Sequence, residues 1–174
     1  IDAVDDSVTP DNWARLGEGL LNGRETLAVN DACDQVRAKT VMTAWALSSQ
    51  VPFVTVGAAG GKRLAQAVEV DDLAAVTHDP LLAKLRYTLR KQHGAAREAR
   101  IGVCCVFSRE SVALPDASCV LQSPDGSLNC HGYGSAVSVT ASFGLCAAGW
   151  VINTLAENAR LKERQLSKSN EMTL

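Results

Sequence analysis

Two aspartates lie at the end of a short, largely apolar run, TLAVNDA, at residues 26–32: Asp31 is within it and Asp34 follows it. The run fits a buried parallel strand, and ligands of open α/β sheets gather beyond the carboxyl ends of such strands. A carboxylate placed there, where a helix begins, is suited to holding Mg²⁺ for a phosphate-bearing ligand. An aspartate in that place can equally cap the helix by accepting bonds from its free N–H groups. For Asp34 the local pattern favours neither interpretation over the other.

A second candidate is the glycine-rich stretch VTVGAAGGKR at residues 54–63. A phosphate-binding loop of the G-x-x-x-x-G-K-[ST] type needs four residues between its glycines and a hydroxyl group after its lysine. Here Gly57 and Gly61 enclose three residues, and Arg63 follows Lys62. We therefore interpret the stretch as the exit from a strand, where glycine supplies a positive φ or lets another group approach the backbone closely.

The elements that must position these residues alternate along the chain. Strands are predicted at IDAVDDSV, TLAVNDA, VPFVTVGA, AQAVEVDDLA and IGVCCVFS, and helices at TPDNWARLGEGL, DQVRAKTVMTAWALSSQ, DPLLAKLRYTLRKQHG and the segment from residue 135. Strand–helix–strand repeats produce crossover connections and a layered sheet. The expected fold class is therefore α/β, with a Rossmann-like sheet that is partly parallel and then mixed.

Charge is unevenly distributed, although the net charge of the 174 residues is only −2. Residues 1–34 carry eight acids against two arginines, whereas residues 84–100 carry six cations against Glu98 alone. A basic segment of this kind can contact a phosphate backbone, although a solvated helix face is the commoner outcome. The composition, with 47% apolar residues, predicts one soluble globular domain.

The six cysteines contain no C-x-x-C pair and the three histidines are scattered, which argues against a zinc site. Without a secretory leader, the cysteines favour a reduced, cytoplasmic location. Residues 135–157 carry no charge before Glu157, but Ser, Thr, Gly and Ala make up most of them. That composition inserts poorly into lipid, so it predicts a buried, tightly packed helix and no transmembrane segment.

The stretch VNDACDQVRAKTVMTAWALSSQVPFVTVGAAGG resembles the D-x-x-D-x-x-x-x-K block and following strand of the ThiF/MoeB/HesA superfamily, bacterial relatives of ubiquitin-activating enzymes. DPLLAKLR and VFSRE resemble one branch, the tRNA threonylcarbamoyladenosine dehydratases (TcdA/CsdL-like), and the likeness extends to about residue 157. The resemblance implies that residues 1–160 are the carboxyl-terminal part of an adenylating domain, truncated in its amino-terminal half. Residues 161–174 are expected to form a polar, frayed tail.

The resemblance also implies a reaction. Such enzymes use ATP and Mg²⁺ to activate the carboxylate of threonylcarbamoyladenosine in tRNA by adenylation, and then close a ring with net loss of water. The ATP loop of the superfamily precedes the D-x-x-D block, so this stretch alone is expected to bind ATP poorly and to be inactive. Two alternatives stay open: a non-catalytic scaffold or interaction domain, and MoeB/ThiF-like sulfur-carrier adenylylation, which the missing zinc pairs disfavour.

Residue by residue, the resemblance makes Asp34 the catalytic and metal-binding residue. It places Asp31, Lys39, Gly57, Gly60 and Gly61 with Asp34 around the nucleotide, where the glycines form a site wall for substrate or a monovalent cation. Cys105 is a candidate reactive thiol, although a buried strand thiol is the commoner outcome. The candidate tRNA contacts are Lys84, Arg86, Arg90 and Lys91. Expected partners are tRNA, a second copy of the chain in a homodimer, and a sulfur acceptor protein associated with a cysteine desulfurase.

Overall fold

The computed structural model describes residues 3–21, 27–113 and 134–171. Its elements in chain order are α1 (Trp13–Leu21), β1 (Val29–Asp31), α2 (Val36–Ser49), β2 (Phe53–Val56), a 3-10 turn (Ala65–Ala67), β3 (Val68–Asp72), α3 (Pro80–Gln92), β4 (Cys104–Ser108) and α4 (Val137–Glu171). Cys119, Cys130 and His131, which are among the cysteines and histidines considered above for a zinc site, lie outside the described residues.

The four strands form one sheet in the order β1-β2-β4-β3. Strands β1, β2 and β4 are parallel, and β3 pairs antiparallel with β4. In this register Asp31 lies opposite Thr55, and Thr55 lies opposite Cys105. The expected mixed α/β sheet is confirmed. Because the three parallel strands share a direction, the residues that follow β1 and β2 emerge at the same edge.

Side chains alternate between the two faces of the sheet and build two cores. On one face Phe53, Cys105 and Phe107 pack in a cluster that includes residues of α2 and α3. On the other face Val54 and Val106 pack against α4. This period of two along β2 and β4 is what a strand covered on both faces requires. The sheet is therefore the middle layer, with α2 and α3 on one side and α4 on the other.

Helix α3 begins and ends as its sequence predicts. The side chain of Asp79 accepts a hydrogen bond from the backbone N–H of Leu82 at 2.9 Å, and Pro80 occupies the first turn. Gly94 follows the helix with a φ of 66°, a left-handed conformation that favours glycine. Four leucines of α3 are buried, Leu81, Leu82, Leu85 and Leu89, and the last three pack in the core.

Three segments differ from the prediction. Residues 3–8 of IDAVDDSV form no strand. The N-cap position of α2 is Gln35 and not Asp34, so Asp34 lies one residue before the cap. Residues 161–171, expected to fray, are the last turns of α4, and the expected domain boundary at residue 160 lies within that helix.

Among the residues that the structure describes, helix α4 is packed along one side only. Val139, Phe143 and Ala147 are buried, whereas Leu145 and Ile152 are 74% and 66% exposed. Residues 137–169 are long and apolar enough to cross a membrane by length and composition, and 17% of the most apolar window is buried. One such helix is weak evidence for a membrane span. The expectation of a tightly packed helix therefore holds for one face of α4.

Candidate active site

A cavity of about 480 Å³ lies at the edge of the sheet where β1 and β2 end. Its walls come from the segments after β1 and β4, the turn after β2, the first turn of α3, and the start of α4 with the residues before it: Ala32, Cys33, Asp34, Gly57, Ala58, Ala59, Gly60, Pro80, Leu81, Val112, Gly134, Ser135 and Thr140. A larger cleft of about 690 Å³ is bordered by the first residues of β2 and β4. Ligands of parallel sheets bind beyond the carboxyl ends of strands, so the smaller cavity is the candidate site.

Asp34 is exposed and lines this cavity together with Gly57 and Gly60. The structure thus brings together three of the residues that the resemblance assigned to one site. The helices α3 and α4 also begin at the cavity, and their amino termini favour negative charge there. A carboxylate near helix amino termini can share a cation with an anionic ligand.

The glycine turn that follows β2 is fastened to the start of α3 by Asp79. One carboxylate oxygen of Asp79 accepts the N–H of Leu82 at 2.9 Å, and the other accepts the N–H of Ala58 at 2.8 Å. Burial raises the pKa of Asp79, and the N–H groups of Leu82 and Ala58 oppose that rise. A Cβ atom at Gly57 would overlap the second oxygen of Asp79. Only glycine therefore allows the strand to leave the sheet so close to this carboxylate.

Lys62, at the end of the glycine turn, is buried and donates to three backbone carbonyls. Its ammonium group lies 3.0 Å from the oxygens of His78 and Ser108 and 2.9 Å from that of Glu110. Desolvation lowers the pKa of Lys62, while Asp79 and Glu110 oppose the fall. Gly61 before it adopts a φ of 71°. The lysine of the phosphate-loop-like stretch thus ties the turn to the segments after β3 and β4.

Asp31 and Lys39 form an ion pair whose side chains are completely buried. The ammonium group of Lys39 donates to Asp31 at 3.0 Å, to the hydroxyl of Thr55 at 2.9 Å and to the carbonyl of Val56 at 2.8 Å. Asp31 also accepts the Thr55 hydroxyl at 2.7 Å and the N–H of Cys33 at 3.0 Å. Neither charged group reaches the cavity wall. The pair fixes α2 to the carboxyl ends of β1 and β2, and so holds Asp34 in place.

The cysteines are poorly suited to nucleophilic chemistry. Cys33, Cys104, Cys105 and Cys146 are free thiols in the described part of the chain. Burial raises the pKa of Cys33 to about 12, with Asp31 adding to the rise, and raises that of Cys104 to about 11. Burial likewise raises the pKa of Cys105, whose side chain is fully buried in β4. A thiolate is the reactive form of cysteine, so these environments suppress reactivity.

We expect Cys105 to resist alkylation in the folded protein. The half-buried Cys104 next to it should react slowly with iodoacetamide at pH 8, whereas Cys105 should react only after urea unfolds the chain. Peptide mass spectrometry of native and unfolded samples distinguishes the two residues. Labelling of native Cys105 at the rate of Cys104 would instead indicate an accessible thiol at that position.

The predicted tRNA contacts on α3 fall into two groups. Arg86 donates to the carbonyls of Leu73 and Val76 at 2.9 and 2.8 Å. Arg90 donates to the carbonyls of Ala96 and Arg97, each at 3.0 Å. Both guanidinium groups therefore hold neighbouring backbone in place. The exposed cations of α3 are Lys84 and Lys91.

Comparisons with known proteins agree with this architecture. No protein-family model matches the chain. The tRNA threonylcarbamoyladenosine dehydratase of Escherichia coli K12 is 35% identical over 169 residues, which cover 91% of this chain and 61% of that protein. The Haemophilus influenzae protein of the same name is 31% identical over 160 residues, covering 89% and 58%. The chain is a homologue of these dehydratases. It spans about three fifths of the length of the curated relatives it matches.

Solved structures extend the similarity to the fold. The E. coli dehydratase in complex with AMP superposes with a TM-score of 0.72 at 34% identity, covering 90% of this chain and 57% of that one. The same enzyme in complex with ATP gives a TM-score of 0.71 at 36% identity, with the same coverage. The resemblance to the dehydratase branch of the ThiF-like proteins is confirmed. The E. coli dehydratase is thus solved both with AMP and with ATP bound.

Two residues that shape the site were not identified as site residues from the sequence. The sequence indicates only that a helix begins at Asp79. Lys62 is notable in the sequence only because it follows glycines, as the lysine of a phosphate-binding loop does. The helix cap was visible because aspartate precedes proline. Its second bond, to Ala58, joins residues 21 positions apart, and no local pattern reports such a contact. The close fit of Gly57 against Asp79 is equally long-range.

Proposed function

We propose that the protein is an ATP-dependent tRNA-modifying enzyme that activates the carboxylate of threonylcarbamoyladenosine by adenylation and cyclises it with loss of water. The observation that carries this proposal is the position of Asp34. It opens onto the cavity beside the glycine turn, in a chain homologous to dehydratases solved with ATP and AMP.

The chemistry of the cavity suits this reaction. Adenylation places negative charge on the α-phosphate while the substrate oxygen attacks it, and positive groups around that phosphate lower the barrier. The amino termini of α3 and α4 supply part of that field. Ser135 lines the same wall, and its hydroxyl can donate to phosphate or carboxylate oxygens.

The cavity could bind Mg²⁺ through a single protein carboxylate, with the other ligands supplied by water and phosphate oxygens. Among residues 3–21, 27–113 and 134–171, no group of three His, Cys, Asp or Glu side chains could hold a metal ion. Mg²⁺, however, commonly binds one or two carboxylates and takes its other ligands from water and substrate phosphates. Asp34 supplies one such carboxylate, and a bound Mg²⁺ would neutralise phosphate charge. In this proposal Asp34 is the residue that would hold that ion beside the nucleotide phosphates.

Replacing Asp34 by asparagine tests the proposal. Loss of the carboxylate should lower ring closure by roughly 10²-fold or more, because the group that would hold Mg²⁺ beside the negatively charged phosphates is lost. The assay incubates full-length protein with ATP, Mg²⁺ and tRNA bearing threonylcarbamoyladenosine, and quantifies the cyclic nucleoside and AMP by mass spectrometry. Asp34 is exposed, so the melting temperature should change little.

The matched control is Asp5→Asn, since Asp5 is also an exposed aspartate but does not line the cavity. It should retain full activity. An Asp34→Asn enzyme with wild-type turnover would contradict the assigned role. Turnover of a sulfur-carrier carboxyl terminus in place of modified tRNA would favour the MoeB/ThiF-like alternative.

Partners and location follow from the same proposal. A homodimer is supported by the exposed apolar residues of α4, among them Leu145 and Ile152, which a second copy could cover. A sulfur acceptor protein associated with a cysteine desulfurase, a monovalent cation at the glycine turn, and a cytoplasmic location stay predictions from the resemblance. Each fits an enzyme that acts on tRNA.

A further inference from the structure

Helix α3 carries a row of exposed residues that begins at the candidate site. Pro80 lines the cavity, and Lys84, Tyr87 and Lys91 follow it at intervals of four, three and four residues. Residues spaced in this way lie on one face of a helix. All four are exposed, whereas the leucines of the opposite face are buried. We call Lys84, Tyr87 and Lys91 the α3 stripe.

Tyr87 is the unusual member of the stripe. Its side chain is 65% exposed, and the ammonium group of Lys91 lies 5.9 Å from the centre of its ring. Large aromatic side chains are usually packed, and an exposed ring flanked by lysines presents a flat apolar surface next to positive charge. Single-stranded nucleic acids are bound by this combination, in which bases stack on aromatic rings and cations neutralise the phosphates.

We propose that the α3 stripe binds single-stranded tRNA, with an unpaired base stacked on Tyr87 and phosphates beside Lys84 and Lys91. This inference rests on the proposed function and adds to it the surface and the mode of binding. At 1.5 Å per residue, Tyr87 lies roughly 10 Å along the helix from Pro80 at the cavity rim. Nucleotides flanking one held in the cavity would therefore run along the stripe.

The charge around the stripe supports nucleic acid as the occupant. Residues 84–100 carry six cations against a single acid, Glu98. Two of those cations, Arg86 and Arg90, hold backbone carbonyls, so the lysines of the stripe are the α3 cations presented to a ligand. This division corrects the four-residue set expected from the sequence and adds Tyr87, which charge counting alone could not select.

The experiment measures binding of bulk E. coli tRNA and of a fully paired RNA duplex at several KCl concentrations. Tyr87→Ala should weaken tRNA binding by roughly 5- to 150-fold, and Tyr87→Phe should bind like the wild type, because phenylalanine keeps the stacking surface. The duplex, whose bases are already stacked, should bind Tyr87→Ala and wild type alike. Lys84→Gln and Lys91→Gln should each reduce the salt slope by about one.

Lys168→Gln, at an exposed lysine in the last turn of α4, is the matched control and should leave the slope unchanged. If tRNA binds but the Tyr87 and lysine variants bind as the wild type does, the stripe assignment is overturned while the proposed function stands. If Tyr87→Ala weakened binding of the duplex as much as binding of tRNA, the proposed stacking of an unpaired base on Tyr87 would be overturned. Competition by polyglutamate as strong as by tRNA would assign the stripe to an acidic protein partner instead. Failure of the wild type to bind tRNA even at low salt would overturn the proposed function as well.

Discussion

Replacing Lys39 by methionine is expected to lower the free energy of unfolding by about 3–5 kcal/mol, because it leaves the buried charge of Asp31 without its partner. The loss should be large because both side chains are fully buried and all three donors of the ammonium group are used. Urea denaturation followed by circular dichroism measures it. Part of the damage should reach the site, since this pair fixes the segment that carries Asp34.

The double variant Asp31→Asn/Lys39→Met separates charge from packing. The Thr55 hydroxyl and the Cys33 N–H donate to different oxygens of Asp31, so asparagine keeps an acceptor for one of them, while both charges disappear. The double variant should therefore be more stable than Lys39→Met alone, although Asp31→Asn by itself should destabilise the wild type. Arg37→Met, at an exposed position two residues earlier in α2, should be nearly neutral. Strictly additive losses would mean that the pair does not act through its charges.

The sequence predicted most of the elements because their signals are local. Asp79-Pro80 and Gly94 mark the ends of α3, and IGVCCVFS has the continuous apolar character of a strand buried on both faces, as β4 is. The alternation of buried side chains then places β2 and β4 in the middle of the sheet. The errors occur where local signals are weak: IDAVDDSV alternates only faintly, and the polar end of α4 continues a helix through its own backbone bonds.

The sequence predicted where the site lies, but not which of its residues line the cavity and which are buried beside it. The order of strand, aspartate and glycine turn indicates which edge of the sheet carries Asp34 and Gly57. It does not distinguish an aspartate that faces the cavity from one that is sealed inside. Asp31 and Asp34 are three residues apart, yet Asp31 is only 2% exposed and Asp34 lies at the surface. The difference is decided by Lys39 and Thr55, which approach from α2 and β2.

Replacing Gly57 by alanine should destabilise the protein by about 2–4 kcal/mol, from overpacking and from loss of the α3 cap. The new methyl group would overlap an oxygen of Asp79 and meet the side chain of Leu82 at 3.0 Å. Asp79 cannot move aside without releasing the N–H groups of Ala58 and Leu82, which are 2.8 and 2.9 Å away. Thermal and urea unfolding would measure the loss, and nucleotide affinity should fall with it because the turn lines the cavity.

Gly144→Ala is the matched control, since nothing lies within 4 Å of a Cβ atom at that position in α4. It should stabilise the protein by about 0.5–1 kcal/mol, because alanine loses less backbone entropy than glycine in a helix. Removing the obstructing carboxylate in Gly57→Ala/Asp79→Ala should cost less than the two single losses together. That non-additivity is the specific sign of a clash. If Gly57→Ala were as stable as the wild type, Asp79 would have to move aside freely. Its hydrogen bonds could then not be what holds the glycine turn to α3.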